Sequence, residues 1–322
     1  MIRKSAHIFF ITLIAATMLG ACAQAQTSVE KKPIRMGWSL YPGWYPLVIA
    51  QEKGIFEKHG VEVELILYST YDDTAPQIAS GFVDAAALVL GDALLEDVGN
   101  YASVVLVTDN SHGADQLIAS PETLQTRDLR GKRIGFSVGT FGELLVHEML
   151  KKYNVDINEV SLVEVPPEQV PAAIPSQIDI GHTFEPFATQ AQINGNGILF
   201  TSADAPGIIV DTVVFRNAFL KERPEDARNF INAWFEAVEY WQANPEEGNK
   251  IIAAETGQDV KDVSDEGVKF FNRDANIATF KPGPDTTSVH FTAQMELQFL
   301  VETGVLTKPV NVDNILNAGY LQ

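Results

Sequence analysis

From residue 34 on, short apolar runs alternate with polar loops and amphipathic stretches, a pattern that predicts strands and helices in turn. The stretch 34–58 sets the theme. Its first residues fit a short strand, and Tyr41-Pro42-Gly43-Trp44-Tyr45 fits a turn, because proline fixes φ and glycine allows the tight bend. Pro46 suits a first helical turn, where its missing N–H would have gone unpaired anyway, and Gly54 ends that helix. A strand that delivers Trp44 and Tyr45 to a helix N-terminus makes a shelf of amide donors over flat aromatic faces. The plainer alternative is that the two rings cover a sheet edge. The order then recurs. A strand over 61–67 stops at the polar run 68–74, which can cap a helix over 75–80. A strand over 83–90 leads to Gly91-Asp92, which opens a helix, and a strand over 104–107 ends in the polar loop 108–115.

A second unit repeats this logic, with strands over 116–119, 134–136, 160–165 and 178–180. Its helices cover 141–152, opened by Gly139-Thr140, then 168–174, and a third whose first residues are Thr183-Phe-Glu-Pro-Phe187. A long strand follows over 207–215, with Asp211 alone among Ile208, Ile209, Val210, Thr212, Val213 and Val214. The remainder reads as helices over 225–243, 246–255, 261–270 and 288–302. Phe230, Trp234, Val238 and Trp241 share one helical face and read as core. The prediction is an α/β protein of two lobes, each a mainly parallel sheet flanked by helices. Lobe one comprises 33–112 plus 212–322, and lobe two, 113–211, is inserted between them. Two crossover strands near 108–117 and 207–214 would form a hinge. Ligands of open α/β sheets sit beyond the carboxyl ends of the strands, so such lobes would close on one.

Composition narrows the function. The 322 residues leave room for two lobes, and 46% hydrophobic with 9% aromatic content is that of a globular chain. Forty-two acidic against 23 basic residues give a net charge of −19, which argues against a nucleic-acid partner. Residues 1–21 have another purpose. Arg3 and Lys4 precede an apolar run over 8–19 that is too short to span a bilayer, and Leu19-Gly20-Ala21-Cys22 resembles a bacterial lipobox. This predicts a lipoprotein signal peptide over 1–21 and lipidation at Cys22, the only cysteine and so without a disulfide partner. A plain signal peptide with an incidental cysteine is the alternative. Cleavage would remove Arg3 and Lys4 and take the net charge from −19 to −21. Residues 22–32 read as a polar tether, so the expectation is a monomer held by lipid at the periplasmic or extracellular face of a bacterial membrane.

Five segments together resemble a known family. They are Tyr45-Pro-Leu-Val-Ile-Ala-Gln-Glu-Lys-Gly-Ile-Phe, Gln77-Ile-Ala-Ser-Gly-Phe-Val-Asp-Ala-Ala, Asp109-Asn-Ser-His-Gly-Ala-Asp115, Leu129-Arg-Gly-Lys-Arg-Ile-Gly and Gln177-Ile-Asp-Ile-Gly-His-Thr-Phe-Glu-Pro-Phe. Over about residues 33–255 the chain is similar to the substrate-binding proteins of nitrate, sulfonate, taurine and thiamine-precursor importers. The resemblance implies a type II periplasmic-binding-protein fold, with a permease and an ATPase as partners. It also implies that loops at the strand ends hold the ligand, which by position are those carrying Trp44, Tyr45, Tyr71, Asp72, Asp92, Asp109, Asp115, Thr140, Phe184, Glu185 and Asp211.

None of these loops carries Lys or Arg, whereas Asp72, Asp92, Asp109, Asp115, Glu185 and Asp211 are acidic. A buried carboxylate facing an anion costs several kcal/mol by order of magnitude, but toward an amine or ring N–H it is a charge-assisted acceptor. The expected ligand is therefore a small organic molecule with cationic or hydrogen-donating nitrogen, such as an aminopyrimidine. A sulfonate or nitrate held by helix N-terminal amides is the alternative. Each acid also has a plainer reading. Asp72, Asp92 and Thr140 could be N-caps, Asp109 and Asp115 could bond hinge amides, and Glu185 could neutralise a helix start. His112 and His182 flank the expected cleft and read as hydrogen-bonding residues. No metal-ligand spacing appears, so neither metal nor cofactor is expected. Catalytic signatures are likewise absent from the sequence. The enzymatic alternative on the same fold is a pyrimidine-forming relative with a cysteine cluster, and this chain has one cysteine. A binding protein and not an enzyme is expected.

Overall fold

Strand β1, Ile34–Trp38, pairs in parallel with β2, Val63–Leu67, on one side and β3, Ala85–Val89, on the other. This computed structural model describes residues 32–322; the signal peptide, Cys22 and nearly all of the tether lie outside the described residues. Strand β4, Ala102–Ser111, completes the first half of the chain's contribution to this sheet. The chain then builds a second sheet from β5, Asp115–Ala119, β6, Arg133–Phe136, β7, Ser161–Glu164, β8, Ile180–Phe184, and β9, Gly197–Thr201. It returns through β10, Val210–Arg216, and ends the first sheet with β11, Val268–Phe270. The orders are β11-β4-β10-β3-β1-β2 and β7-β6-β8-β5-β9.

Both sheets are mixed. The parallel pairs are β1/β2, β1/β3, β6/β7 and β6/β8, as strand–helix–strand connections require. The antiparallel pairs involve the strands that carry the chain between sheets, β4 and β10 in one and β5 in the other, with β11 added at the edge. Each sheet also repeats one device. Arg35 on β1 clamps Asp84 before β3, with Nη2–Oδ1 at 2.8 Å and Nε–Oδ2 at 3.0 Å. Arg133 on β6 clamps Asp179 before β8 in the same way, at 2.9 and 3.1 Å. In both, the aspartate also accepts the arginine's backbone N–H. The fork thus fixes the amino ends of two adjacent parallel strands and leaves the opposite ends free for ligand loops.

Two stretches differ from the pattern reading. Residues 261–270 are not a helix: a single turn at Val260–Asp262 is followed by loop and then β11. Gly267 takes φ +82 there, and Val268 and Phe270 alternate against Ser111 and Asp109 of β4, a period of two that a short tract hides. The next helix also starts later than 183. Thr183 and Phe184 remain in the β8/β5 ladder opposite Gln116 and Asp115, and the helix is Phe187–Ile193. The helix Pro224–Ala243 packs against the helix Pro46–Glu52 with Phe230, Trp234, Val238 and Trp241 buried, and Phe230 meets Phe215 of β10 at 5.3 Å; the helix Val289–Glu302 packs against the short helix Leu90–Ala93. Among the described residues no helix is long and apolar enough to cross a membrane.

Candidate functional site

The carboxyl ends of the strands meet between the two sheets. The turn after β1 contributes Tyr41 and Trp44, the loop after β2 contributes Tyr71, and the paired ends of β3 and β10 contribute Val89 and Asp211. From the second sheet come Asp115 on β5, Phe184 on β8, and Phe141 at the start of the helix Phe141–Tyr153. These eight side chains close down to about 10 Å³, the space of a single water, so a ligand enters only when the two sheets part. Trp44 stacks on Tyr71, with centroids 5.8 Å apart at 19°, and Tyr41 meets Trp44 edge-on at 5.2 Å. Rings also touch across the sheets, Tyr41 with Phe184 at 6.0 Å and Tyr71 with Phe141 at 5.4 Å, both near perpendicular. Such edge-to-face packing matches ring edges to ring faces and leaves a cage of π surface.

Local chemistry explains this convergence. Tyr41 precedes, and Trp44 ends, the tight turn Pro42–Trp44, where residues three apart eclipse each other and share a side. Gly43 is required within it. A Cβ at this position would stand 2.2 Å from Asp109 Oδ2 and 2.5 Å from the Tyr41 ring, so only glycine lets the turn lie against β4. Thr140 is the N-cap of Phe141–Tyr153, accepting from the Gly142 N–H at 3.2 Å and donating to the Ser137 carbonyl at 2.7 Å. That cap presents Phe141 to the cage.

Carboxyl groups surround the rings. Asp109 and Asp211 stand opposite each other in the β4/β10 ladder, both buried, so their carboxyl groups lie on the same face of the sheet as cross-strand neighbours. Asp109 also accepts from the Thr108 hydroxyl at 2.9 Å and the Tyr41 hydroxyl at 3.4 Å. Burial, then the charge of Asp115, pushes the Asp109 carboxyl up to about 7, and burial with Asp109 opposite holds Asp211 well above the ordinary range. Asp211 Oδ2 has no protein partner. Asp115 Oδ1 lies 3.0 Å from His182 Nε2, and His182, fully buried, packs edge-on against Phe141 and Phe184. Nδ1 of His182 has no partner, which places the ring proton on Nε2, donated to Asp115. Behind the cage the Val89 N–H donates to Tyr71 Oη at 3.0 Å, and Tyr71 Oη–H donates to Asp92. Burial pushes Asp92 up to about 7.

The sequence-predicted residues therefore divide. Trp44, Tyr71, Asp115, Phe184 and Asp211 line the cage, while Asp92 and Asp109 stand directly behind it. Asp72 is exposed at the seam and accepts from the Ser137 hydroxyl of the other sheet at 3.1 Å. Tyr45 and Glu185 face a different cavity, also walled by Gln116, His112, Gln258 and Lys261. There Tyr45 Oη accepts from Gln258 at 2.8 Å, and Glu185 accepts from Gln116 at 3.2 Å and the Thr189 N–H at 3.1 Å. That cavity is larger, and Tyr45 and Glu185 there already have partners. The cage, with an unpartnered Asp211 oxygen and stacked rings, is the better built site. Tyr41, Val89, Phe141 and His182 were not among the predicted site residues. Tyr41 lay within the turn the pattern singled out, and Phe141 directly followed a predicted helix start, so position alone could have raised both. Glu168 was missed too: it accepts the Tyr71 N–H across the sheets at 2.8 Å, which ties the cage shut.

The sequence and the fold both have known relatives. A Brucella abortus protein named as a binding protein is 28% identical over 256 residues, 76% of this chain and 77% of its own. The yeast (Saccharomyces cerevisiae) 4-amino-5-hydroxymethyl-2-methylpyrimidine phosphate synthase THI11 is 26% identical over 238 residues, 68% of this chain and 69% of its own. The fold matches a ligand-binding component of an ABC-type import system from Staphylococcus aureus with a TM-score of 0.74, at 16% identity, over 90% of this chain and 98% of that one. The family described as NMT1/THI5 like matches residues 42–248, well over half of the sequence, and the chain belongs to that family.

Proposed function

We propose that this protein is an extracytoplasmic solute-binding component of an ABC importer, which captures a small organic molecule with cationic or hydrogen-donating nitrogen in the Tyr41–Trp44–Tyr71 cage. The observation that carries this reading is the lining: stacked aromatic rings with Asp115 and Asp211, and no Lys or Arg among the described residues that wall it. Aromatic faces and carboxylates attract nitrogen cations and N–H edges, and both repel a sulfonate or nitrate. An aminopyrimidine satisfies both walls, since its ring stacks while its amino group donates to a carboxylate. The import role draws support from the Staphylococcus aureus component of like fold and from the Brucella binding protein. Permease and ATPase subunits are the partners in this reading, and Cys22 carries the lipid that keeps the monomer near them. The site captures and does not transform: its polar groups serve one another and the ligand, and the only cysteine stands at position 22. Thermal melting in the presence of aminopyrimidines, aryl amines, taurine, nitrate and alkanesulfonates tests the reading. Stabilisation by the nitrogen compounds alone is expected. Stabilisation by the anions alone would reverse it.

A further inference from the structure

The cross-strand pairing of Asp109 with Asp211 has a stoichiometric consequence. Two buried carboxyls on facing positions repel each other when both are ionised, and without a cation between them one keeps its proton. Every neighbour of the pair is consistent with a retained proton. From the turn after β1, Tyr41 donates to Asp109, and from β4 itself Thr108 does the same. From β3 and β11 come only Val89 and Phe270, register partners of Asp211 and Asp109. From β5 comes Asp115, another carboxyl, backed by His182. No cation faces the pair from these elements, yet Asp211 turns a buried, unpartnered Oδ2 toward the cage.

Resting on the cation-capture reading, we propose that the Asp109–Asp211 pair stores one proton in the ligand-free cleft and releases it to water when a cationic ligand takes its place opposite Asp211. The exchange balances, one positive charge entering as one leaves, with no change in oxidation. It makes the affinity for a permanent cation rise with pH, while a neutral ring binds without proton release. The pair thus lets the site accept either charge form of a nitrogen ligand, with pH setting the preference.

Two measurements on the mature protein decide this. Infrared difference spectra, wild type minus variant, at pH 7 in H₂O and D₂O should contain the same protonated-carboxyl C=O band for Asp211→Asn and Asp109→Asn, distinct from the band lost in Glu296→Gln. Calorimetric titration with 1-methyl-4-aminopyridinium, in two buffers of different ionisation enthalpy, should show about one proton released per cation bound. Titration with 4-aminopyrimidine should show none, and Asp211→Asn should abolish the release. Absence of the band, or cation binding with the proton count unchanged from the neutral probe, overturns the proposal while leaving the ligand class intact. If neither probe binds, the ligand class itself fails and the exchange fails with it.

Discussion

Trp44 and Tyr45 are chain neighbours in one turn, yet they serve two different cavities. Trp44 closes a cage of about 10 Å³ whose walls are rings and carboxyls, while Tyr45 borders a space of about 480 Å³ walled by amides, hydroxyls and charges. The tight turn explains the division. Tyr41 and Trp44, three residues apart, fall on the same side, whereas one further step rotates Tyr45 away toward Trp241 and Gln258. The two spaces differ in satisfaction as well as in size. Around the larger one, Tyr45 and Glu185 already have partners. In the smaller one, Asp211 keeps an oxygen that no protein group meets. A buried polar group left unpaired costs stability, and a ligand is one way to recover it.

Replacing the Trp44 ring sharpens the contrast most. Trp44→Ala removes a side chain 2% exposed from the stack on Tyr71, and is expected to cost about 3–5 kcal/mol in stability. Chemical unfolding measures that loss, and melting assays with aminopyrimidines should show no remaining stabilisation. Retained stabilisation would move the site out of the cage.

Of intermediate size is the pH response of the acids behind the cage. Glu296, on the helix Val289–Glu302, is buried with neither oxygen bonded, and burial followed by the Asp92 charge holds its carboxyl well above the ordinary value. Asp92 is pushed up to about 7. Raised carboxyls contribute stability that is complete below their unfolded values and is lost as pH rises through the folded ones. The ligand-free protein is therefore expected to be less stable at pH 8 than at pH 5. Glu296→Gln keeps the side-chain shape without the charge and should narrow that gap. Denaturation midpoints at the two pH values decide it, and an unchanged gap would show that Glu296 holds no proton.

The smallest effect belongs to the larger cavity. Tyr45→Phe deletes one hydrogen bond, that from Gln258, and is expected to cost about 0.5–1.5 kcal/mol with ligand-induced melting shifts unchanged. A variant that loses the ligand response while keeping its fold would bring Tyr45 back into the site.

Much of this was legible in the residues. The apolar runs that became β1, β3, β4 and β10 announced themselves, and the lone Asp211 in an apolar strand signalled a group in need of a partner. The edge strand β11 was not legible, because three residues are too few to separate a period of two from a helical one. His182 looked like any hydrogen-bonding histidine. Its importance rests on Asp115, 67 residues away in sequence and 3.0 Å away in space. Thr140 could be read as a cap or a ligand contact; its hydroxyl caps, and the next residue, Phe141, enters the cage.

Local periodicity, with proline and glycine geometry, was enough to fix most of the element order, the aromatic turn and the acidic loops. Folding in three dimensions settled which neighbour of a pair faces the cage, which carboxyls stand opposite each other, and how Glu168 joins the two sheets over Tyr71. Those outcomes depend on side-chain direction and on register between distant strands, where a rotation of one residue or a slip of one position exchanges the inside for the outside.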